Sequence, residues 1–285
     1  MKWYPRPSTR ALYQKYIFFN TESPDNYPVC DAGYDGFFNW TATYRLNSDI
    51  PSTYILIRDK KGRIVGPKRK MRWKRNIKGT VKDDVIDTLR IQNKTKAAAW
   101  FVSNCKTKSG RRGFAKALAN ALIPYGFTID VYGKCGNLQC PGSGSTSNCR
   151  YLLKKDYYFY MSMENTFDED YVTEKLLTAL HNDVIPIVYG GADYSRFLPP
   201  RSYIDGRKQH VKKLASLMNK LIHSPKEYNK YFRWKHHYTY SNPATSVNIC
   251  AVCQALHDKE MLQKTTYDDF RRWWHPNYET ICFGH

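Results

Sequence analysis

Three clusters of polar side chains stand where short apolar runs end, and their residue types suit an anionic, hydroxyl-rich ligand. Ser103 and Asn104 close the run at 97–102, and Arg111 and Arg112 follow. Glu164 and Asn165 close the run at 157–161, and Tyr171, Glu174 and Lys175 come shortly after. A lysine in the first turn of a helix opposes the helix dipole, a cost that a bound anion would offset. An arginine from a neighbouring strand end can grip the same anion with two parallel N–H groups. A diphosphate fits that pair, and Glu174 is then placed to accept ribose or sugar hydroxyls. The plainer alternative is a surface Glu-Lys pair. No P-loop lysine motif and no G-x-G-x-x-G fingerprint occurs, which counts against nucleotide hydrolysis and ordinary dinucleotide binding. The one D-x-D triplet, Asp168-Glu169-Asp170, is of a kind that can hold a divalent cation. Just ahead of a helix, acidic residues also complement the dipole, and that capping role is the simpler reading.

These clusters need elements to hold them. The unbroken apolar run Ala97-Ala98-Ala99-Trp100-Phe101-Val102 suits a parallel strand buried on both faces. Strands are also expected at 15–20, 54–58, 127–131, 157–161 and 184–189. Helices are expected at 83–90, 113–122, 173–181, 247–257 and 267–274. Residues 21–36 and 142–147 carry the Pro, Gly and Ser of loops. Strand, helix, strand, strand, helix, strand from residue 97 onward predicts an open α/β sheet of Rossmann type. Ligands of such sheets bind beyond the carboxyl ends of the strands, where the three clusters fall.

The 285 residues carry 45 Lys and Arg against 25 Asp and Glu, a formal net charge of +20 that favours anionic partners. Lys68-Arg69-Lys70, Arg72, Lys74 and Arg75, with Trp73 among them, form the densest basic run. Beside Gly66-Pro67 and Gly79 it reads as a solvated loop rather than a nucleic-acid site. The 23 Tyr and 7 Trp suit packing on sugar rings, although most such residues serve the core. Eight cysteines favour disulfides over zinc, with Cys140 and Cys149 able to staple a loop and Cys250 and Cys253 also expected to be disulfide-bonded. The zinc alternative would combine Cys135, Cys140, Cys250 and Cys253. The sequons Asn39-Trp40-Thr41 and Asn93-Lys94-Thr95 point the same way as the disulfides, to a secretory compartment. No stretch is long and apolar enough to span a bilayer.

Several motifs, in order, resemble those of the α1,3/4-fucosyltransferases, glycosyltransferase family 10. They are Ser162-Met163-Glu164-Asn165, Asp170-Tyr171-Val172-Thr173-Glu174-Lys175-Leu176 and Val184-Ile185-Pro186-Ile187-Val188-Tyr189-Gly190. Glu22-Ser23-Pro24, the segment from Phe38 to Arg45 with Ser48-Asp49-Ile50, and Trp100-Phe101-Val102-Ser103-Asn104-Cys105 also match. The resemblance implies a GT-B fold of two Rossmann-like domains, with the N-terminal one truncated here. It implies an acceptor-side part at 1–90, a GDP-fucose-binding part at 91–240 and a C-terminal helical segment at 241–285. It further implies inverting transfer of fucose from GDP-fucose to an N-glycan, with no required cofactor and at most a non-essential divalent cation. The short N-terminal part and the basic composition leave as the alternative a non-catalytic paralogue that binds glycans or polyanions. Glu22 would be the general base, and Arg111 and Lys175 would neutralise the departing diphosphate. Asn165, Tyr171 and Glu174 would hold fucose and ribose, with Ser103 and Asn104 lining the nucleotide pocket. Tyr132-Gly133-Lys134-Cys135-Gly136 and Cys250-Ala251-Val252-Cys253 resemble the branch acting on the innermost GlcNAc; enzymes of antennal glycans share much of the same set. The resemblance implies work on the lumenal side of the Golgi, with the family's membrane anchor expected to be missing from this sequence. Asn47 departs from the family by replacing an aspartate.

Overall fold

The computed structural model describes residues 6–11, 13–74, 86, 88–141, 146–243 and 245–284. Its strands are β1 (Ile17–Asn20), β2 (Trp40–Thr43), β3 (Leu56–Asp59), β4 (Ile64–Gly66) and β5 (Lys96–Phe101), then β6 (Ile129–Tyr132), β7 (Tyr157–Met163), β8 (Ile185–Tyr189), β9 (Ile204–Asp205) and β10 (Tyr238–Ser241). The helices are α1 (Thr88–Gln92), α2 (Arg111–Leu122), α3 (Thr146–Asp156), α4 (Glu174–His181) and α5 (Val211–Ile222), then α6 (Pro225–Asn229), α7 (Thr245–Leu256), α8 (Lys259–Gln263), α9 (Phe270–Trp274) and α10 (Tyr278–Phe283). Two compact units result: Met1–Thr53 with Pro243–His285, and Tyr54–Asn242.

The larger unit is built on a five-stranded sheet in the order β6-β5-β7-β8-β9, all neighbours parallel. Every residue of β7 is buried, as are four of the six in β5 and four of the five in β8. That explains the unbroken apolar runs, since a parallel sheet covered on both faces has no polar side to alternate with. Alanine is a strong helix former, yet Ala97, Ala98 and Ala99 lie in a strand, because burial between helices outweighs a small intrinsic preference. α2 buries Ala115, Leu118 and Leu122 along one face and packs beside α5, which buries Leu214, Ala215, Met218, Leu221 and Ile222. The chain runs outward from β5 to β6 on one side and from β7 to β8 and β9 on the other. The order therefore reverses between β5 and β7. A smaller antiparallel sheet, β10-β3-β4, completes this unit.

The other unit pairs β1 with β2 in parallel, Ile17 opposite Trp40. Phe18 lies edge-on to Phe38, Phe270 and Trp274, with centroids 4.8–5.3 Å apart. Cys30 is bonded to Cys282, closing a separation of 252 residues.

The α/β class is the one expected. The segmentation at 90 and 240 differs from the observed units, because β3 pairs with β10 and the C-terminal helices cluster with the first 53 residues. The sequence reading also passed over β2, β4, β9, β10, α3, α5, α6, α8 and α10. Most of these are too short to show a period, and α3 begins inside the Ser- and Gly-rich stretch read as a loop. Of that loop, 142–145 lie outside the described residues, as do 83–85 and 87 of the helix expected at 83–90.

The cysteines resolve differently from expectation at one point. Cys105–Cys135 and Cys140–Cys149 are disulfides, which removes Cys135 and Cys140 from any zinc site. Cys250 and Cys253 are exposed free thiols. They lie three residues apart on α7, and no further cysteine remains to pair with them. Among the described residues no group of three or more His, Cys, Asp or Glu is arranged to hold a metal, and no helix is long and apolar enough to cross a membrane.

Candidate functional site

The strand order reverses between β5 and β7, and the crevice beyond the carboxyl ends of the strands at such a reversal is the usual ligand position in these sheets. Ser103 and Asn104 leave β5 there, both exposed, and Glu164 and Asn165 leave β7. The loop from β5 to α2 is laced to the end of β7. The Ser109 amide donates to the Asn165 carbonyl at 3.1 Å, and its hydroxyl donates to the Glu164 carbonyl at 2.8 Å. Cys105–Cys135 ties the same loop to the segment after β6. Gly133 lets that segment close in: its φ is +94°, and a Cβ there would lie 2.8 Å from the Val102 carbonyl oxygen.

Arg111 is the first residue of α2 and is 3% exposed. Its Nη1 donates to the Met163 carbonyl at 2.7 Å and its Nη2 to the Asn104 carbonyl at 3.0 Å. One guanidinium thus spans the ends of β5 and β7. Burial, the largest influence, lowers its pKa below the ordinary arginine value, while Glu164 opposes the fall. Its Nε and the Asn165 Oδ1 are buried without a hydrogen-bond partner among the described residues. Buried polar atoms are rarely left so, and two beside one crevice are what a site awaiting a polar ligand would show.

Lys175 occupies the second position of α4, and Thr173, the N-cap, makes no side-chain cap bond. The Thr173 hydroxyl turns to Glu164, at 2.9 and 3.1 Å from its two oxygens, and the Thr173 amide donates to Oε1 at 2.9 Å. Lys175 Nζ lies 2.7 Å from the Thr173 hydroxyl, 3.2 Å from Glu164 and 3.3 Å from Glu174. Burial alone would lower the lysine pKa, but Glu164 and then Glu174 outweigh it and hold the value above normal. Lys175 is therefore a firm cation whose charge is shared by two carboxylates. One of these, Glu164, has a side chain only 2% exposed, while Glu174 is 56% exposed.

Tyr171 is buried with its ring edge-on to Tyr54 at 6.4 Å. Tyr189, the last residue of β8, stacks on Phe114 at 4.3 Å, and Arg207 lies 4.4 Å above the Phe167 ring while donating to the Gly190 carbonyl at 3.0 Å. The Tyr194 phenol is buried without a hydrogen-bond partner among the described residues. Burial first, then the Glu164 charge, pushes its pKa well above the ordinary phenol value. Asp168-Glu169-Asp170 does not cap α4, whose helical residues begin four positions later. Asp170 and Glu169 both accept from Arg196, at 2.7 and 2.9 Å.

Glu22 belongs to the smaller unit, two residues past the end of β1. It is half-buried, its amide donates to Asn20 Oδ1 at 2.8 Å and its Oε2 accepts from Asn26 at 3.4 Å. Ser23 and Pro24 after it are buried. Asp49 is committed elsewhere: it accepts from the Thr41 amide at 2.8 Å, from the Tyr267 hydroxyl at 2.8 Å and from Lys264.

Seven of the eight sequence-derived residues thus belong to the larger unit and Glu22 to the smaller. Ser109, Thr173, Tyr194 and the Phe114–Tyr189 stack had no role assigned from the sequence. Glu164, a lone carboxylate directly after a strand of wholly buried residues, is the one sequence signal that a charge there needs a partner.

Residues 91–273 match the description "Glycosyltransferase family 10 (fucosyltransferase) C-term", and residues 1–55 match "Fucosyltransferase, N-terminal". Alpha-(1,3)-fucosyltransferase C of Drosophila melanogaster is 41% identical over 275 residues, 95% of this chain and 61% of its own length. Glycoprotein 3-alpha-L-fucosyltransferase A of the same organism is 36% identical over 277 residues, 94% of this chain and 48% of its own. The chain thus spans about half to three-fifths of these relatives. A crystal structure of an alpha1,3-fucosyltransferase with GDP-fucose is loosely similar, at a TM-score of 0.47 and 22% identity over 62% of this chain and 51% of that one.

Proposed function

This chain belongs to glycosyltransferase family 10, the fucosyltransferases, and on that premise we propose that it moves L-fucose from GDP-fucose to the 3-hydroxyl of a GlcNAc in an N-glycan, the core GlcNAc. The observation that carries the proposal is the reversal of strand order between β5 and β7, where the cations Arg111 and Lys175 stand near buried polar atoms that have no partner among the described residues.

In the proposed reaction the acceptor oxygen bonds to fucose C1 on the face opposite the nucleotide. The bond from C1 to the phosphate oxygen breaks, and its electron pair departs on GDP. Glu22 takes the acceptor proton. Lys175 stabilises the charge that develops on the diphosphate as a fixed donor in a site that excludes water, and Arg111, whose Nη atoms are held by two carbonyls, adds its charge without direct contact. Lys175 exchanges its contact with exposed Glu174 for phosphate, and Glu174 turns to the ribose hydroxyls. Asn165 and Tyr171 hold fucose, and Ser103 and Asn104 border the nucleotide. With two cations near the leaving group, no divalent ion is required, and EDTA leaves turnover in place. A glycoprotein acceptor is supported by the relative named for glycoprotein fucosylation. The three disulfides suit the Golgi lumen.

Calorimetry with GDP, together with transfer to N-glycopeptides, tests this. Losing a charged donor costs about 1.5–3 kcal/mol, so Lys175→Ala should weaken GDP binding roughly tenfold to a hundredfold. Glu22→Gln should leave GDP binding intact and abolish transfer. Turnover at the normal rate in that variant removes the base assignment, and transfer only to antennal LacNAc removes the core acceptor.

A further inference from the structure

A second cavity in the larger unit, about 480 Å³, belongs to no part of the crevice. Arg201 and Ser202 in its wall come just before β9. Lys230, Arg233 and Trp234 follow α6, whose Tyr228 hydroxyl donates to the carbonyl of Tyr158 at the start of β7. The cavity is therefore built on segments at the amino ends of the parallel strands, whereas the crevice lies at their carboxyl ends. Its size falls within the roughly 300–1,000 Å³ usual for small-ligand sites.

The lining combines two chemistries. Lys74, Arg201, Lys230 and Arg233 supply positive charge, and among the described lining residues there is no carboxylate, although Lys230 is ion-paired with Glu227. His237, also in the wall, has its pKa held below the ordinary histidine value, by burial first and then by Lys74, His236 and Lys60. Trp73, Trp234 and Tyr238 supply ring surface. The Trp73 indole is fixed by donating to the Ser195 carbonyl at 2.7 Å and by edge contact with Tyr238 at 5.1 Å. The Lys74 amide donates to the Tyr238 hydroxyl at 2.8 Å, holding the lysine at the rim. A second hollow sharing Lys74 and Tyr238 extends the basic surface past Lys68, Lys70 and Arg72.

We propose that this groove binds an acidic saccharide, a sulfated chain of the heparin type, separately from the reaction crevice. Ring faces take the C–H faces of sugars while the flanking cations take sulfates and carboxylates. Nucleic acid offers a similar charge. The disulfides, however, place the folded chain in an oxidising compartment, where the abundant polyanions are glycans.

The test is calorimetric binding of a heparin-derived octasaccharide, with melting temperature and circular dichroism confirming that each variant is folded. Arg201→Ala with Lys230→Ala should weaken binding roughly tenfold or more, as expected for two lost charge-assisted contacts. Lys116→Ala with Lys213→Ala, the same charge removed from exposed positions on α2 and α5, should leave it nearly unchanged. Trp73→Ala should also weaken it, and Trp73→Phe should restore most of the affinity. Failure of the intact protein to bind overturns the proposal. So does equal loss in the Lys116/Lys213 pair, or indifference to Trp73→Ala, either of which means ion exchange alone. Displacement of the octasaccharide by an oligouridylate of equal charge at equal concentration overturns the saccharide assignment.

Discussion

Exchanging either member of the Lys175–Glu164 pair removes the same contact, yet the two exchanges should differ sharply in cost. At 3.2 Å, and with an effective dielectric near 20, the attraction is about 5 kcal/mol before desolvation is charged against it. Lys175→Ala strands a carboxylate whose side chain is 2% exposed, with the two Thr173 donors as its remaining partners. Stranding a buried charge typically costs about 3–5 kcal/mol, and the Thr173 donors place this case near the lower figure, about 3 kcal/mol. Glu164→Gln is milder. The amide oxygen still accepts from Thr173, and Lys175, 23% exposed, keeps Glu174 at 3.3 Å, so about 1 kcal/mol is expected. Melting temperatures should fall by about 6–12 °C and 2–4 °C respectively. Replacing both, as Lys175→Met with Glu164→Gln, should cost less than Lys175→Ala alone. Urea unfolding of the four proteins measures this. A Glu164→Gln penalty equal to or above that of Lys175→Ala refutes the picture of a buried carboxylate dependent on its lysine.

The pH dependence of the same pair has a definite sign. The folded-state pKa of Lys175 lies above its unfolded value, so its contribution is complete below about pH 10.4 and is lost as pH rises through the higher folded value. The stability gap between the intact protein and Lys175→Ala should be flat from pH 7 to pH 9 and narrow only above that window. Cys282→Ser, which opens a link across 252 residues, should lower unfolding free energy by about 4 kcal/mol, read by urea titration. Alkylation of the folded, unreduced protein should modify Cys250 and Cys253 and spare the other six cysteines, and mass spectrometry after proteolysis would show a bridge there if the assignment is wrong.

What the chain determined unaided was its class and the position of its central strands. Unbroken apolar runs at 97–102, 157–161 and 184–189 have one good solution, a parallel sheet covered on both faces, and β5, β7 and β8 occupy them within a residue or two. The places where polar residues follow those runs were legible for the same reason, since strand ends are where a buried sheet meets solvent. Strand order was not legible. That β7 lies next to β5 rather than beyond β6 decides that Asn104 and Glu164 share a crevice, and nothing local in the chain encodes it. Side-chain commitments were hidden too. Lys175 looked like a cation awaiting an anion, and only folding showed Glu164, eleven positions earlier, already holding it, with Arg111 spent on two carbonyls. Glu164, Thr173 and Lys175 meet because β7 ends where α4 begins, so their charges are balanced across a turn of chain and not along it. Cys30 finding Cys282 is the extreme case: a contact across 252 residues leaves no trace in local pattern, because only tertiary packing brings such distant segments together.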